Sequence, residues 1–369
     1  MKVVIQSDSR IWGGNEKWLL LVGRGLAERG HDVLVSCKPG RPVAQRARDA
    51  GLRVTHRRPG GDADLPRAIG FALMLRRERP DAVLLSAFKR SFWGGWACRR
   101  AGVPRVVERL GIEHDLPPRW KYRKAFRDYI DALIVNSAVI RERWLRAAPW
   151  FPSAEVHVVL NGVRRPALDR SSLRQELGLA PEVLVVAAAG RLERRKGFDL
   201  LLDAFAAAAD PRARLVVAGD GADEAGLRAR AASLGVAERV HWLGFRRDLD
   251  NVLLGADVFA LPSRREGMAN VMLEAMAADC LVVATDISGV REALGAREGR
   301  PAAGWIVPPE DAPALASALD RALAAAGGEE GQRRREETRW RVAHWFAPER
   351  TIERTERVLL GTARGEPPC

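Results

Sequence analysis

The chain of 369 residues is longer than one domain usually is, so we expect two domains of roughly 150–200 residues each. Hydrophobic residues make up 47% and charged residues 29%, which is ordinary for a soluble globular enzyme. Residues 1–170 hold 33 Lys and Arg against 17 Asp and Glu (net +16), whereas residues 171–369 hold 27 against 30 (net −3). The first half therefore predicts an anionic partner: nucleic acid, an anionic lipid surface or an acidic acceptor.

The chain ends and the cysteines indicate a cytoplasmic protein. The apolar run at residues 3–5 is too short for a signal peptide, and no window approaches the ~18 apolar residues of a membrane span. The cysteines stand at neither metal-ligand nor Cys-x-x-Cys spacing, so we expect free thiols in a reducing compartment. They are Cys37, Cys98, Cys280 and Cys369.

Short apolar runs alternate with helix-like stretches in the first half, which predicts repeated strand–helix units and a parallel sheet. The predicted strands are residues 3–7, 32–37, 53–56, 82–86, 105–108, 132–136 and 156–160. Helices fit between them, for example at residues 15–29 and 65–79. The polar segment 162–178, which contains Pro166, suits a linker between domains.

The second half begins the same pattern again. Its predicted strands are residues 183–188, 214–218, 240–243, 258–261 and 281–284, and its predicted helices are 199–208, 223–234, 271–277 and 312–325. A charged stretch from Gly327 then leads into helix-like sequence up to about Leu360. We expect domains at residues 1–165 and 166–345, followed by a C-terminal helix and tail at 346–369.

A basic motif follows the predicted strand 183–188. It reads Gly190-Arg191-Leu192-Glu193-Arg194-Arg195-Lys196-Gly197. Arg191 offers a planar fork for phosphate oxygens and Lys196 a compact charge, so the two can converge on an anion at the sheet edge. A solvated basic turn is the alternative explanation.

Two further motifs follow the next strands. Gly219 and Gly221 after strand 214–218 permit a tight turn or the close approach of a ligand, although an ordinary turn explains them as well. The other motif is Pro262-Ser263-Arg264-Arg265-Glu266-Gly267-Met268-Ala269-Asn270-Val271-Met272-Leu273-Glu274-Ala275-Met276.

In this last motif a polar loop precedes a helix that begins near Ala269 or Asn270. The first-turn amides and the positive end of the helix dipole suit a diphosphate. Glu266 in the loop and Glu274 in the helix can address different parts of one ligand, the reacting sugar and the ribose. The structural alternative is a surface loop carboxylate and a helix-surface carboxylate.

Taken together, these motifs resemble the signature of glycosyltransferase family 4, a large family of retaining GT-B enzymes. Two glutamates separated by seven residues, Glu266 and Glu274, stand in the context Glu-Gly-x-x-Asn-Val-x-Leu-Glu-Ala-Met, after Gly-Arg-Leu-x-x-x-Lys-Gly and Gly-x-Gly. Gly13-Gly14-Asn15-Glu16 resembles the first strand–helix unit of the family. The resemblance covers most of residues 1–325 and is strongest in the second half.

The resemblance implies a fold and a set of roles. The fold is α/β, with two Rossmann-like doubly wound parallel-sheet domains facing a cleft and a C-terminal helix that crosses back to the first domain. Arg191 and Lys196 would neutralise the donor diphosphate, and Glu266 would contact the donor sugar. The other implied donor-binding residues are Gly14, Gly190, Gly219, Gly267, Met268, Ala269, Asn270 and Val271, with Glu274 on the ribose.

The chain departs from the family at one position. Many members carry a histidine near the end of the strand predicted at 105–108, where this sequence has Leu110. His114 is four residues further on and is a candidate catalytic replacement, and Arg109 facing the cleft is another candidate. An ordinary loop histidine is the alternative explanation of His114.

Two other patterns point to binding partners. The strings Asp62-Ala63-Asp64 and Asp248-Leu249-Asp250 resemble metal motifs of another glycosyltransferase fold, but a turn and a helix start explain them structurally. Residues 118–129 interleave aromatic and basic side chains, and Trp120, Phe126, Tyr129 and Ile130 could share one helix face on an anionic leaflet. A core helix with a solvated basic face is the other explanation.

The resemblance thus implies a retaining glycosyltransferase. It would move a sugar from a nucleotide-diphosphate sugar, a UDP-sugar before GDP-mannose, to a hydroxyl of a cell-envelope glycan or lipid-linked saccharide. We expect no cofactor, no obligatory metal and no nucleic acid, and a location in the cytoplasm or peripherally on the inner face of the cell membrane. A sugar-nucleotide epimerase or phosphorylase of the same fold, and a basic nucleic-acid-binding or scaffold protein, stay open as alternatives.

Overall fold

The computed structural model describes residues 1–9, 12–61, 64–112, 119–167, 171–208, 210–297 and 299–363. The chain divides into two compact units, the first formed by Met1–Gly162 with the chain from Pro348 and the second by Val163–Ala347. Each unit is built on one sheet whose strands all pair in parallel. This confirms the predicted fold class of two doubly wound, Rossmann-like domains.

The sheet of the first unit has seven strands in the order β3-β2-β1-β4-β5-β6-β7. These are β1 (Lys2–Gln6), β2 (Asp32–Ser36), β3 (Arg53–Thr55), β4 (Ala82–Leu85), β5 (Arg105–Leu110), β6 (Ala132–Val135) and β7 (Val156–Val158). The helices between them are α1 (Gly14–Glu28), α2 (Pro42–Asp49), α3 (Leu65–Glu78), α4 (Ser91–Ala101), α5 (Trp120–Lys124) and α6 (Ala138–Ala147).

Burial explains why these apolar runs form strands. Every residue of β4 and β6 is buried, as expected for parallel strands that are covered by helices on both faces. Helix α1 buries Trp18, Leu19, Val22 and Leu26 on its sheet-facing side, in one cluster with Val3 and Ile5 of β1. Burial in this core therefore explains both the apolar runs of the strands and the helical spacing of the apolar residues in α1.

The aromatic and basic segment does not form the single face predicted for Trp120, Phe126, Tyr129 and Ile130. Helix α5 ends at Lys124 and continues as a π-helical turn over Ala125–Tyr129, which rotates the later side chains relative to the earlier ones. Phe126 and Ile130 are buried, whereas Trp120 is 69% exposed. The prediction failed because it assumed a regular α-helical period.

The sheet of the second unit has six strands in the order β10-β9-β8-β11-β12-β13. These are β8 (Val185–Ala189), β9 (Arg214–Ala218), β10 (Val240–Gly244), β11 (Val258–Leu261), β12 (Leu281–Thr285) and β13 (Trp305–Val307). The helices of this unit are α7 (Leu173–Glu176), α8 (Phe198–Ala207), α9 (Glu224–Ser233), α10 (Leu249–Leu254), α11 (Asn270–Ala277), α12 (Val290–Leu294), α13 (Ala312–Ala325) and α14 (Glu329–His344).

The last helix, α15 (Pro348–Leu360), belongs to the first unit. Ile352 packs so closely on α1 that a Cβ added to Gly25 would lie 2.3 Å from its Cδ1 atom. Thr351 Oγ1 donates a hydrogen bond to the Leu160 carbonyl (2.9 Å), and Glu356 pairs with Arg29 (2.7 Å). The predicted return of the C-terminal helix to the N-terminal domain is thereby confirmed.

Two findings bear on the expectations about membranes and thiols. Among the described residues, no helix has the length and apolar character needed to cross a lipid bilayer. Cys37, Cys98 and Cys280 are free and buried, and Cys369 lies outside the described residues.

Candidate active site

The predicted motifs of the second unit meet at one edge of its sheet. β8 lies between β9 and β11, so the strand order reverses between β8 and β11, and ligands of such sheets bind at the carboxyl ends beside this point. The loops after β8, β9 and β11 lead into α8, α9 and α11. The structure therefore brings the three sequence motifs together at the expected place.

Two glycines hold these loops against one another. Gly197 has a φ of 69°, and a Cβ there would lie 2.0 Å from the Pro262 carbonyl oxygen. Gly219 has a φ of 145°, and a Cβ there would lie 1.9 Å from the Gly190 carbonyl oxygen. Because any larger residue would push the backbones apart, both glycines are needed for the close packing of the motifs.

Glu266 and Lys196 form the centre of the site. The Lys196 ammonium donates to Glu266 Oε1, and Ser263 Oγ lies 3.3 Å from the same oxygen. Arg195 Nη1 donates to the other carboxylate oxygen, Oε2, at 3.1 Å. Glu266 is buried, so two cations hold one desolvated carboxylate in a fixed place.

Arg191 does not share this pair. Its guanidinium is half exposed, and its Nη1 lies 3.5 Å from Glu193 Oε2. Lys196 lies over Gly190, where a built Cβ would be 3.7 Å from the Lys196 Nζ atom. The two predicted phosphate-binding cations thus lie in one loop but have different carboxylate partners.

The loop after β11 leads into α11 as the sequence predicts. Gly267, Met268 and Ala269 are buried and α11 begins at Asn270. The amides of Met272 and Leu273 bond to the Ala269 carbonyl, so those of Asn270 and Val271 precede the first helical bonds. Such amides and the helix dipole favour an anion at this end. Glu274, one turn into the helix, is partly exposed.

Arg264 is a site residue that the sequence analysis did not select. Its guanidinium donates to both carboxylate oxygens of Asp199 (2.7 and 2.8 Å) and also pairs with Glu310 (2.5 Å). The hydrogen bonds to Asp199, followed by those to Glu310, raise the pKa of Arg264. Arg264 therefore ties the loop before Glu266 to the start of α8. Arg195, which also binds Glu266, was likewise missed.

In the first unit, Gly14 is the first residue of α1 and is exposed. Arg109, one predicted candidate for the role of the missing histidine, is fully buried within this unit. Its guanidinium stacks 4.0 Å above the Trp18 ring, and it donates to the side-chain oxygens of Asn15 and of Asn161, the latter at 3.1 Å. Burial lowers the pKa of Arg109, while the Glu16 carboxylate opposes that shift.

His114, the other candidate, lies outside the described residues, as does Asp62 of the first Asp-x-Asp string. Asp64 caps α3 by accepting from the Arg67 amide (3.3 Å). Asp248 precedes α10, but its carboxylate pairs with Arg246 (2.8 Å) rather than with helix amides. Among the described residues, no group of three or more His, Cys, Asp or Glu could hold a metal ion.

The chain is similar in sequence to known glycosyltransferases. A family model described as glycosyl transferases group 1 matches residues 169–340, and one described as glycosyltransferase family 4 matches residues 12–165. A lipopolysaccharide core biosynthesis glycosyltransferase of Rhizobium meliloti is 30% identical over 322 residues, which cover 85% of this chain and 86% of that relative. A D-inositol 3-phosphate glycosyltransferase of Mycobacterium marinum is 36% identical over 245 residues, covering 63% of this chain and 50% of the relative.

Among solved structures, the chain resembles the Anabaena protein HepE in complex with UDP-glucose. The TM-score is 0.80 and the identity 22%, with 98% of this chain and 100% of that chain covered. At this level of identity the likeness concerns the fold.

Proposed function

Because the chain belongs to glycosyltransferase family 4 and is a glycosyltransferase, we propose that it transfers a sugar from a nucleotide-diphosphate sugar to a saccharide hydroxyl, with retention at the anomeric carbon. The donor is a UDP-sugar, with GDP-mannose as the second choice. The acceptor is a cell-envelope glycan or a lipid-linked saccharide. The observation that carries the proposal is the buried Glu266 carboxylate with Lys196 at the switch point of the second sheet.

In the proposed reaction the Lys196 ammonium leaves the Glu266 carboxylate and binds the donor diphosphate instead. Arg191, which is half exposed, adds its planar fork to the same phosphates, and the amides of Asn270 and Val271 face them from the start of α11. These groups stabilise the negative charge that develops on the leaving nucleotide diphosphate. Glu266, released from Lys196, accepts a hydrogen bond from the donor sugar, and Glu274 binds the ribose.

The names of related proteins support the choice of substrates. The solved Anabaena protein was crystallised with UDP-glucose, which favours a UDP-sugar. One relative is named for lipopolysaccharide core biosynthesis and another for D-inositol 3-phosphate, which favours a hydroxyl-rich acceptor.

We expect UDP to stabilise the chain and the change Glu274→Ala to abolish that effect. At about one hundred times its dissociation constant a ligand stabilises the native state by roughly 2.7 kcal/mol, which is visible as a rise in Tm. The measurement is a thermal-shift panel with UDP, GDP, ADP and CDP. Glu224→Ala is the matched control, because Glu224 is a helical carboxylate of the same unit that pairs with Arg228. The proposal fails if no nucleotide diphosphate stabilises the wild-type chain, or if Glu274→Ala keeps the full shift.

We further propose that the first unit docks on an anionic membrane surface. Phe92 contacts the rings of Trp93 (5.1 Å between centroids), Trp120 (5.3 Å) and Tyr129 (5.8 Å), and Trp120 is largely exposed. The basic residues Lys121, Arg123, Lys124 and Arg127 lie between Trp120 and Tyr129 along the chain. Aromatic side chains at the headgroup level combined with basic residues suit an anionic leaflet.

Trp120→Ser should lower the fraction of protein that sediments with vesicles of phosphatidylglycerol and phosphatidylcholine. Phe245→Ser serves as the control, since Phe245 is a similarly exposed aromatic residue of the second unit. Equal binding of the wild-type protein to phosphatidylcholine alone would contradict an electrostatic membrane contact.

A further inference from the structure

A cluster of three cations surrounds one carboxylate in the first unit. Asp8 accepts from Arg58 Nη1 (3.0 Å) and Arg90 Nε (2.9 Å), and its Oδ2 atom lies 3.3 Å from Lys38 Nζ. We call these four residues the Asp8 cluster. The side chains of Lys38, Arg58 and Arg90 are only 13%, 14% and 24% exposed, so water solvates them poorly.

The cluster carries an excess of positive charge. Within the described part of the chain, Asp8 is the only carboxylate that Lys38, Arg58 and Arg90 contact. In the second unit, the Glu266 cluster has two cations for one carboxylate, and the Arg264 cluster has one cation for two carboxylates. The Asp8 cluster exceeds both in positive charge, and three neighbouring cations repel one another in a way that a second anion would relieve.

The cluster also lies where a ligand of this fold would bind. Asp8, Lys38, Arg58 and Arg90 follow β1, β2, β3 and β4, four adjacent strands, at the carboxyl edge of the sheet. Asp8 and Arg90 flank the switch point between β1 and β4, the expected place for a ligand.

The loops that carry the cluster are held in place by hydrogen bonds. The Ser7 amide donates to the Ser36 carbonyl (2.9 Å), and the Cys37 amide donates to the Thr55 carbonyl (3.0 Å). Ser36 Oγ donates to the Arg57 carbonyl (2.6 Å). The three loops after β1, β2 and β3 are therefore preorganised, which lowers the entropic cost of binding an anion there.

We propose that Lys38, Arg58 and Arg90 bind an anionic group of the acceptor, a phosphate or a carboxylate carried by the saccharide. The two guanidinium groups match the paired oxygens of either anion, and Lys38 adds a third charge. Asp8 occupies part of the same positive field and weakens the site in the absence of the acceptor. The inference rests on the proposed function, which identifies the ligand as the acceptor. It adds that this acceptor carries a negative charge.

The test is calorimetric binding of glucose 6-phosphate, glucuronate and glucose to the full chain. We expect the phosphate or the carboxylate to bind and glucose to bind far more weakly. The variant Arg58→Gln/Arg90→Gln should weaken anion binding about tenfold or more, because each hydrogen bond to a charged group is worth at least that factor. The control Arg24→Gln/Arg67→Gln removes the same charge from two exposed arginines of the same unit.

Asp8→Asn gives an effect of the opposite sign. Removal of the internal counter-ion should strengthen anion binding several-fold, whereas a merely structural Asp8 would leave affinity unchanged or lower. Each variant is required to keep the UDP-dependent rise in Tm, and a variant that does not is replaced by Lys38→Met.

Three outcomes would overturn the inference. They are equal binding of glucose and its anionic derivatives, equal losses in the two arginine double variants, and unchanged or weaker anion binding by a folded Asp8→Asn protein. If UDP stabilises the chain and any of these outcomes is observed, the anion site is contradicted but the proposed function is not. Absence of stabilisation by every nucleotide diphosphate contradicts the proposed function instead.

Discussion

Replacement of Lys196 by alanine should lower kcat by about 10²–10³-fold, the usual cost of removing one group that stabilises developing charge in a transition state. Lys196 is the only cation in the described residues that both contacts Glu266 and lies over Gly190. The measurement is transfer from the nucleotide sugar whose nucleotide diphosphate stabilises the wild-type chain.

Arg194 provides the matched control for this change. It belongs to the same basic run and is exposed, and its backbone carbonyl accepts a hydrogen bond from Arg264 that a side-chain replacement keeps. Arg194→Ala should therefore retain activity within about twofold, since an exposed charge contributes little. A loss of activity that is equal in the two variants would show that the run acts only through its overall charge.

The effect of Lys196→Ala should appear in kcat as well as in kcat/KM. If Lys196 bound the diphosphate equally in the ground state and the transition state, its removal would raise KM and leave kcat unchanged. In the proposed reaction, the interaction between Lys196 and the leaving diphosphate strengthens as the bond to the sugar breaks. Its loss therefore lowers kcat. An unchanged kcat would contradict this role while leaving nucleotide binding by Lys196 intact.

The sheets could be predicted from the sequence because burial sets the apolar pattern locally. β11 (Val258–Leu261) is buried throughout, and its four apolar residues in a row gave the observed bounds. β13 (Trp305–Val307), which pairs with β12, was not predicted, although β3 and β7 are equally short and were.

The site residues could be predicted where the chemistry lies within one short motif. Lys196 lies in the loop after β8, and Glu266 and the start of α11 follow β11; both strands were predicted from their apolar runs. Arg264 could not be found in this way, because its partners Asp199 and Glu310 are 65 and 46 residues away in the sequence. Only the folded sheet brings these three loops together.

Arg109 shows the opposite error. A cation at the end of a strand resembles a cleft residue in the sequence, and the neighbouring missing histidine supported that interpretation. The structure buries it against Trp18 and Asn161, which come from a helix and a loop elsewhere in the first unit. No local pattern distinguishes a buried arginine stacked on an indole from one that faces a ligand.

Replacement of Glu108 by glutamine should stabilise the chain at pH 8 and change its stability little at pH 5. Glu108 lies in β5 and is fully buried, and its Oε1 atom has no hydrogen-bond partner among the described residues. Its Oε2 atom lies 3.0 Å from Ser91 Oγ, which lies 2.7 Å from the Phe88 carbonyl oxygen. One hydroxyl proton serves one acceptor, so a protonated Glu108 completes this chain by donating to Ser91, as a glutamine amide also would.

The pH dependence follows from the raised pKa of Glu108. Burial raises this pKa from 4.5 to about 8, whereas a hydrogen bond donated by Ser91 to the ionised carboxylate acts in the opposite direction. Between these values the unfolded chain loses the proton and the folded chain keeps it, so the free energy of unfolding falls by about 1.4 kcal/mol per pH unit. The stability is fully present below pH 4.5 and is lost as the pH rises through about 8.

Urea unfolding at pH 5 and pH 8 therefore distinguishes the two proteins. The advantage of Glu108→Gln over the wild type should grow by roughly 3–4 kcal/mol across this interval. Glu78→Gln is the control, because a hydrogen bond from Lys2, with further contributions from Arg53, lowers the pKa of Glu78. Because the pKa of Glu78 lies below 4.5 in the folded chain, the effect of its replacement should vary little between pH 5 and pH 8. Parallel pH profiles for the wild type and Glu108→Gln would show that Glu108 is ionised in the folded chain, and the Ser91 hydroxyl would then have to donate to Glu108 instead of to Phe88.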